Sequence, residues 1–254
     1  MLEEVVRQGG ALAKTFLAGK NRARSKQDGS PVSDADLAVD RFLNERLRAA
    51  RPEYGWLSEE SEDDLARLSA KRVFVVDPID GTVAFLKGKP HFTICAAVVE
   101  KEIPIAAAVY NPLTEECFTA ARGAGARLNG EPIRVSDRDR LEGCRMLASK
   151  TSLRNSCWGG APWPAMTVET PNSIAYRIAL VACGAFDAAL TLSATHDWDL
   201  AAADLIVREA GGFISSHDGS ALRFNRVAVV QPPVVAAGRA LHEAILSRRC
   251  ANGP

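Results

Sequence analysis

The chain has 254 residues, with 31 Lys plus Arg against 31 Asp plus Glu and a formal net charge of zero. That balance excludes a general nucleic-acid binder, whose phosphate contacts demand a basic surplus, and an acidic disordered tail. With 47% hydrophobic and 24% charged residues, the composition is that of a folded protein of one large domain or two intimately joined ones.

Leu2, Val5, Val6, Leu12, Ala13, Phe16 and Leu17 fall near helical spacing, and Gly19 is placed to end that helix. Charges mixed into residues 1–8 argue against a signal peptide. No apolar stretch approaches the ~18 residues of a transmembrane span, so no membrane association is expected and the expected location is the cytoplasm. Cys95, Cys117, Cys144, Cys157, Cys183 and Cys250 form no C-x-x-C pair and are expected to be reduced, mostly core thiols.

Lys20 to Pro31 carries Lys20, Arg22, Arg24 and Lys26 and reads as a basic polar loop. Ser33-Asp34-Ala35-Asp36 offers caps for a second helix, striped by Leu37, Val39, Phe42, Leu43 and Leu47 and stopped by Arg51-Pro52. The run Glu59-Glu60-Ser61-Glu62-Asp63-Asp64 follows, and Glu62, Asp63 and Asp64 read as a solvated face. Arg72 to Val76 is a β-branched strand that leads into Asp77-Pro78-Ile79-Asp80-Gly81-Thr82, where Pro78 is expected to turn the chain sharply. Phe92–Val99 and Ile103–Tyr110 read as antiparallel strands about a turn at 100–102, with further strands and turns over 117–130. Composition shifts over 145–171, which places the junction of two halves, 1–145 and 146–254. Ser173 to Cys183 and Asp197 to Ala210 read as helices ended by Gly184 and by Gly211-Gly212. The order of elements indicates an α+β or α/β layered sandwich.

Three acidic clusters, Glu59-Glu60, Asp77-x-x-Asp80 and Asp197-Trp198-Asp199, each sit at the end of an expected element. Carboxylates and backbone carbonyls are the hard oxygen ligands that Mg²⁺ prefers. Gly81 permits close backbone approach, and a helix starting near Thr82 turns the amides of Gly81 and Thr82 toward an anion. Metal carboxylates beside a phosphate seat indicate hydrolytic phosphoryl transfer.

Those three motifs, the run Ala201 to Gly212 and the early segment Ser30 to Asp36 resemble the inositol monophosphatase family, in order and spacing along nearly the whole chain. The resemblance implies a layered α-β-α-β-α sandwich, commonly a homodimer, and Mg²⁺-dependent, lithium-sensitive hydrolysis of a small phosphorylated substrate with no nucleic acid required. It implies two or three Mg²⁺ per site. Glu59, Asp77 and the Ile79 carbonyl would hold one, with Thr82 nearby, and Asp77, Asp80 and Asp199 a second. Asp36 would orient Thr82 and the nucleophilic water, and Glu60 would serve a third metal through water. Asp80, Gly81 and Thr82 would meet the substrate together with the turn Asn172-Ser173-Ile174.

The family pattern breaks in two places. The stretch Asp187 to His196 lacks the Glu that reads ring hydroxyls and is one residue longer, and Asn172-Ser173-Ile174 stands where a Gly-Thr-Ala-like turn is usual. A 3′(2′),5′-bisphosphate nucleotide, histidinol phosphate or fructose bisphosphate therefore stays beside inositol monophosphate as the expected substrate. His196 reads as structural. A haloacid-dehalogenase-type site is disfavoured because the acids lie three apart with Pro78 between them, and no phosphate-binding G-x-x-x-x-G-K-[ST] loop is present. A regulatory binding protein on a phosphatase-like fold is the non-enzymatic alternative.

Overall fold

The computed structural model describes residues 1–17, 22–25, 31–159 and 161–249, and the elements below are those of the described residues. Gly19, Lys20, Lys26 and Cys250 lie outside them. Helices α1 (Leu2–Leu17) and α2 (Asp34–Ala50) form where apolar spacing places them. Ser33 caps α2, and the Asp36 carboxylate accepts the Ser33 amide at 2.8 Å, which closes a capping box. Between the helices, β1 (Ala23–Ser25) pairs antiparallel with β2 (Pro31–Ser33), so part of the expected basic loop is a strand ribbon. Arg24 there bonds to Asp34 at 3.2 Å.

The first sheet takes its strands in chain order: β3 (Gly55–Ser58), β4 (Arg72–Asp80), β5 (Thr93–Glu100), β6 (Ile103–Asn111), β7 (Glu116–Ala121), β8 (Ala126–Leu128) and β9 (Glu131–Pro132). Only β3 and β4 are parallel; the later neighbours are antiparallel. Lys101 and Glu102, at φ 50° and 61°, make the primed two-residue turn that the twist of β5 and β6 favours. Helix α3 (Thr82–Leu86) follows β4.

The sharp turn expected at Pro78 is corrected by the structure. β4 continues through the motif to Asp80, with Asp77 opposite Cys95 and Asp80 opposite Thr93. Pro78 and Ile79 thus face the single residue Ile94 across a bulge, where a missing ladder amide costs little.

Beyond β9 come β10 (Arg145–Ala148), α4 (Lys150–Leu153), β11 (Thr167–Glu169), α5 (Ile174–Ala182), β12 (Ala188–Thr191), β13 (Thr195–His196), α6 (Asp197–Glu209), β14 (Phe213–Ser216), β15 (Val230–Gln231), β16 (Val234–Ala237) and α7 (Arg239–Leu246). The second sheet has the order β11-β10-β12-β16-β14, and β13 pairs with β15 in a separate ribbon.

Three apolar clusters fill the spaces between layers. Val6, Leu43, Phe74 and Ile94 join α1 and α2 to one face of the first sheet. Val75, Val109, Ile178, Ile206 and Ala236 join its other face to α5, α6 and the second sheet. Met146, Leu190, Val235 and Leu241 join the far face of the second sheet to α7. The result is the expected α-β-α-β-α sandwich, with α5 and α6 in the middle layer. Cys95, Cys117 and Cys144 are buried, as their apolar surroundings predict. Among the described residues no helix is long and apolar enough to cross a membrane.

Candidate active site

Parallel pairing of β3 with β4 sets the first two acids side by side. Ser58 lies opposite Val76, and the Glu59 amide donates to the Val76 carbonyl at 3.4 Å, so Glu59, the first residue past β3, lies beside Asp77 on β4. The bulge then frees the Ile79 amide from the ladder, and Asp77 Oδ1 accepts it at 3.0 Å. Gly81 follows at φ 97°; a Cβ there would stand 2.7 Å from the His91 carbonyl oxygen. Only glycine fits both the left-handed backbone and that close approach.

Thr82 opens α3 and is buried. Its Oγ1 donates to Asp36 Oδ1 at 3.1 Å or to the Ile79 carbonyl at 3.2 Å. Asp36, on the first turn of α2, also accepts the Ser33 hydroxyl at 2.5 Å. The α2 cap is thereby tied to the head of α3, 46 residues away in sequence.

The third acid arrives on α6. His196 caps this helix, and Asp199 accepts the His196 amide at 2.6 Å. Ligand oxygens of Asp77, Asp80 and Asp199 lie within 4.8 Å of one another. A cavity of about 170 Å³ is lined by Glu59, Asp77, Asp80, Thr82, Asn172 and Asp199, together with Ile79 and Gly81. Asp77 Oδ2 is buried there and receives no hydrogen bond.

Burial, with Glu59, Asp80, Asp199 and Asp36 close by, pushes the Asp77 carboxyl well above the usual carboxylate range. Burial and Asp199 push Asp80 up to about 7, even though Ser173 and the amides of Ala175 and Ile174 favour its charged form. Asp36 is raised by burial against its bonds from Ser33 and Thr82. Among the described residues no Lys or Arg forms an ion pair with Asp77 or Asp80. The donor set is all oxygen and crowded with like charge, and it leaves one carboxylate oxygen unused. This fits a hard divalent cation.

The other expected site residues fall around this cluster in different ways. Asn172 is exposed and lines the cavity. Ser173 and Ile174 are buried and turned to Asp80: the Ser173 hydroxyl donates to it at 2.5 Å and the Ile174 amide at 3.3 Å. Glu60 lines an adjoining cleft with Leu37, Asp40 and Ser61. His196 stacks on Trp198 at 4.7 Å between ring centres, in keeping with a structural role. Asp197 is fully buried and faces away, accepting the Asn225 amide at 2.6 Å and Gln231 Nε2 at 2.5 Å.

The acidic run beyond Glu60 is corrected in part. Asp63 does not merely solvate a face: it accepts from the buried Arg67 at 2.9 and 2.6 Å. The same guanidinium donates to Asn225 Oδ1 at 2.7 Å and the Arg226 carbonyl at 3.0 Å. Because the Asn225 amide bonds Asp197, Arg67 ties the Glu59-Glu60 loop to the head of α6. Asp40 is a second residue missed from sequence: its carboxylate receives the hydroxyls of Ser58 and Ser61 on either side of Glu59-Glu60. The one available signal was its place four residues after Asp36, on the same face of α2.

The model of the inositol monophosphatase family matches residues 2–253. The chain is 35% identical to an inositol-1-monophosphatase of Rhizobium meliloti, covering 86% of this chain and 85% of that one. It is also 35% identical to Nus factor SuhB of Xylella fastidiosa, covering 74% and 70%. Among solved structures, the extragenic suppressor protein suhB of Bartonella henselae superposes with a TM-score of 0.83 at 28% identity, covering 96% of this chain and 95% of that one. The chain belongs to the inositol monophosphatase family.

Proposed function

We propose that this member of the inositol monophosphatase family is a Mg²⁺-dependent phosphatase that hydrolyses a small phosphate monoester, inositol monophosphate or a compound like it. The observation that carries this is the meeting of Asp77, Asp80 and Asp199 within 4.8 Å, around a buried Asp77 oxygen with no hydrogen-bond partner. Glu59, Asp77 and the Ile79 carbonyl would hold one ion, and Asp77, Asp80 and Asp199 another. Glu60 would reach a weaker third through water. Both halves, 1–145 and 146–254, then contribute to one site: the first supplies Glu59, Asp77 and Asp80, and the second supplies Asp199 and Asn172.

Bound Mg²⁺ supplies Lewis-acid stabilisation of phosphoryl oxygens and makes water a better nucleophile. The protein's own part is positioning. With its proton committed to Asp36 or the Ile79 carbonyl, Thr82 Oγ1 keeps a lone pair to accept a hydrogen bond from the attacking water. Asp36, tethered by Ser33, fixes that orientation. The amides of Gly81 and Thr82, at the start of α3, seat the phosphoryl oxygens. Attack by water forms one P–O bond as the ester P–O bond breaks, giving an alcohol and inorganic phosphate with no aspartyl-phosphate.

The identity of the ester rests on what the chain offers to the group beyond the phosphate. β12 and the residues after it, 188–196, contain no acid to read ring hydroxyls. This supports keeping 3′(2′),5′-bisphosphate nucleotides, histidinol phosphate and fructose bisphosphate as alternatives. Phosphate release with Mg²⁺ from inositol 1-phosphate, 3′-phosphoadenosine 5′-phosphate, fructose 1,6-bisphosphate and histidinol phosphate, with lithium titrated in parallel, tests the reading. A single preferred ester and inhibition by lithium are expected. Mg²⁺-independent release, or a trapped aspartyl-phosphate, would overturn it. A second reading, a binding role on the same scaffold, is favoured by the relative named Nus factor SuhB; it predicts a partner complex that survives Asp77→Asn.

A further inference from the structure

The two acids of the Glu59-Glu60 pair sit on a short loop between β3 and the 3₁₀ turn Ala66–Ser69, and a loop by itself holds a carboxylate loosely. This loop is clamped. The Ser58 hydroxyl donates to Asp40 Oδ1, and the Ser61 hydroxyl donates to Asp40 Oδ2 at 2.6 Å. One carboxylate therefore grips the residue before Glu59 and the residue after Glu60. Asp40 is 8% exposed and Ser58 3%, so water does not readily replace the bond between them. Ser61 is held from a second side, because Trp56 Nε1 donates to its Oγ at 3.2 Å.

The clamp stands on the helix that already serves the site. Asp36 and Asp40 are one turn apart on α2, where Asp36 bonds Thr82 and Asp40 bonds the Glu59-Glu60 loop. The same rigid face thus sets the head of α3 and the end of β3 relative to each other. A helix carries side chains with less positional freedom than a loop does, so anchoring the loop to α2 transfers that precision to Glu59.

We infer that Asp40 is a positioning residue: by bracketing Glu59-Glu60 through Ser58 and Ser61, it holds Glu59 in register with Asp77 and sets the site's affinity for the divalent cation. The inference rests on the proposed metal site. Outer hydrogen-bond partners of metal ligands typically change metal affinity by about 10- to 100-fold when removed. Asp40→Ala leaves the buried Ser58 hydroxyl and the half-buried Ser61 hydroxyl without their acceptor and releases both ends of the loop. Asp40→Asn keeps the shape and one acceptor oxygen, so it restores part of the clamp.

The test is Mg²⁺ titration into EDTA-stripped, full-length protein by isothermal calorimetry, with thermal melting in EDTA as a measure of folding. The proteins compared are the unaltered chain, Asp40→Ala, Asp40→Asn, Ser61→Ala and Asp77→Asn. Asp40→Ala is expected to weaken Mg²⁺ binding by about tenfold or more, with Asp40→Asn and Ser61→Ala in between. In steady-state assays the half-saturating Mg²⁺ should rise in the same order, while kcat at saturating Mg²⁺ stays within about threefold. A lowered melting temperature in EDTA with unchanged Mg²⁺ affinity would assign Asp40 a purely structural role and overturn the inference. If Asp40→Ala does not fold, Ser61→Ala decides the matter, because it opens one arm of the clamp without altering α2. Failure of the metal-site reading has a different signature: the unaltered chain binds no Mg²⁺, or Asp77→Asn binds it equally well.

Discussion

Ser173 gives its hydroxyl to Asp80 at 2.5 Å, across 93 residues of sequence, while the same oxygen of Ser173 accepts the Tyr176 amide at 2.9 Å. Asp80 also takes the Ala175 amide at 2.7 Å. A carboxylate of the candidate metal cluster is therefore part of the N-terminal cap of α5. Ser173→Ala removes these two hydroxyl bonds and a third, between the same hydroxyl and Thr93 Oγ1 at 3.0 Å, and should destabilise the protein by about 1 kcal/mol or more, the usual loss for a cap. It should also free Asp80 to turn and so raise the half-saturating Mg²⁺. A shift in urea midpoint together with a shift in Mg²⁺ dependence checks this; a stability change alone would confine Ser173 to the helix.

Asp77→Asn should cut kcat at least ~10²-fold at saturating Mg²⁺, the scale seen when a strong electrostatic stabiliser is removed. The same change should raise the melting temperature of the metal-free protein. Asp77 is buried among Glu59, Asp80, Asp199 and Asp36, so the metal-free fold must either hold its proton or bear a buried, repelled charge, a cost that Asn does not carry. Activity lost while EDTA-state stability rises is the expected pair of results. Retention of the full rate would refute the role of Asp77.

Metal-free protein should lose stability as pH rises from about 4 toward 7 and beyond. Asp80 keeps its proton up to about 7 in the folded state but releases it near 3.8 when unfolded. The folded state then binds more protons than the unfolded state in that window, so the slope of stability with pH is negative. Asp77, which burial and the neighbouring acids also push well above the usual carboxylate range, adds to the loss with the same sign. His242, whose pKa burial lowers, contributes the opposite slope, and Asp77→Asn isolates the carboxylate part by flattening the loss. Mg²⁺ favours the ionised carboxylates and should restore stability at pH 8 far more than at pH 5. Melting curves with EDTA or Mg²⁺ at both values provide the measurement.

What was legible in the sequence is what acts over short range. Asp77 and Asp80 share one strand end, Gly81 must accept φ 97°, and Ser33 with Asp36 makes a capping box from adjacent residues. Bringing Asp199 to those acids needed the family resemblance, since no local pattern joins α6 to β4. Pro78 misled because its missing amide has two outcomes, a turn or a bulge, and only pairing of β4 with β5 selects between them. Asp63 was read with its charged neighbours as solvated because its partner's burial depends on Asn225 and Arg226, about 160 residues later. Asp40 was invisible for the same reason: its two serines become donors only when β3 packs beside α2.

Arg67 gives the most demanding stability prediction. Its side chain is fully buried and makes four hydrogen bonds, two to Asp63, one to Asn225 and one to the Arg226 carbonyl. Breaking a buried ion pair from one side costs about 3–5 kcal/mol, and the lower end applies because Asp63 is 27% exposed and can recover water. Arg67→Ala should therefore lower stability by about 3 kcal/mol. Arg67→Lys should recover little, since an ammonium cannot reproduce the planar fork that meets Asp63 and Asn225 together. The activity consequence is separate. Asn225 bonds Asp197 at the head of α6, so loss of Arg67 uncouples the loop bearing Glu59 from the helix bearing Asp199. A variant made at a temperature where it stays folded should show a raised half-saturating Mg²⁺. If Arg67→Ala unfolds at a lower urea concentration yet binds Mg²⁺ as tightly as the parent, the bridge holds the fold together without setting the distance between the two acids.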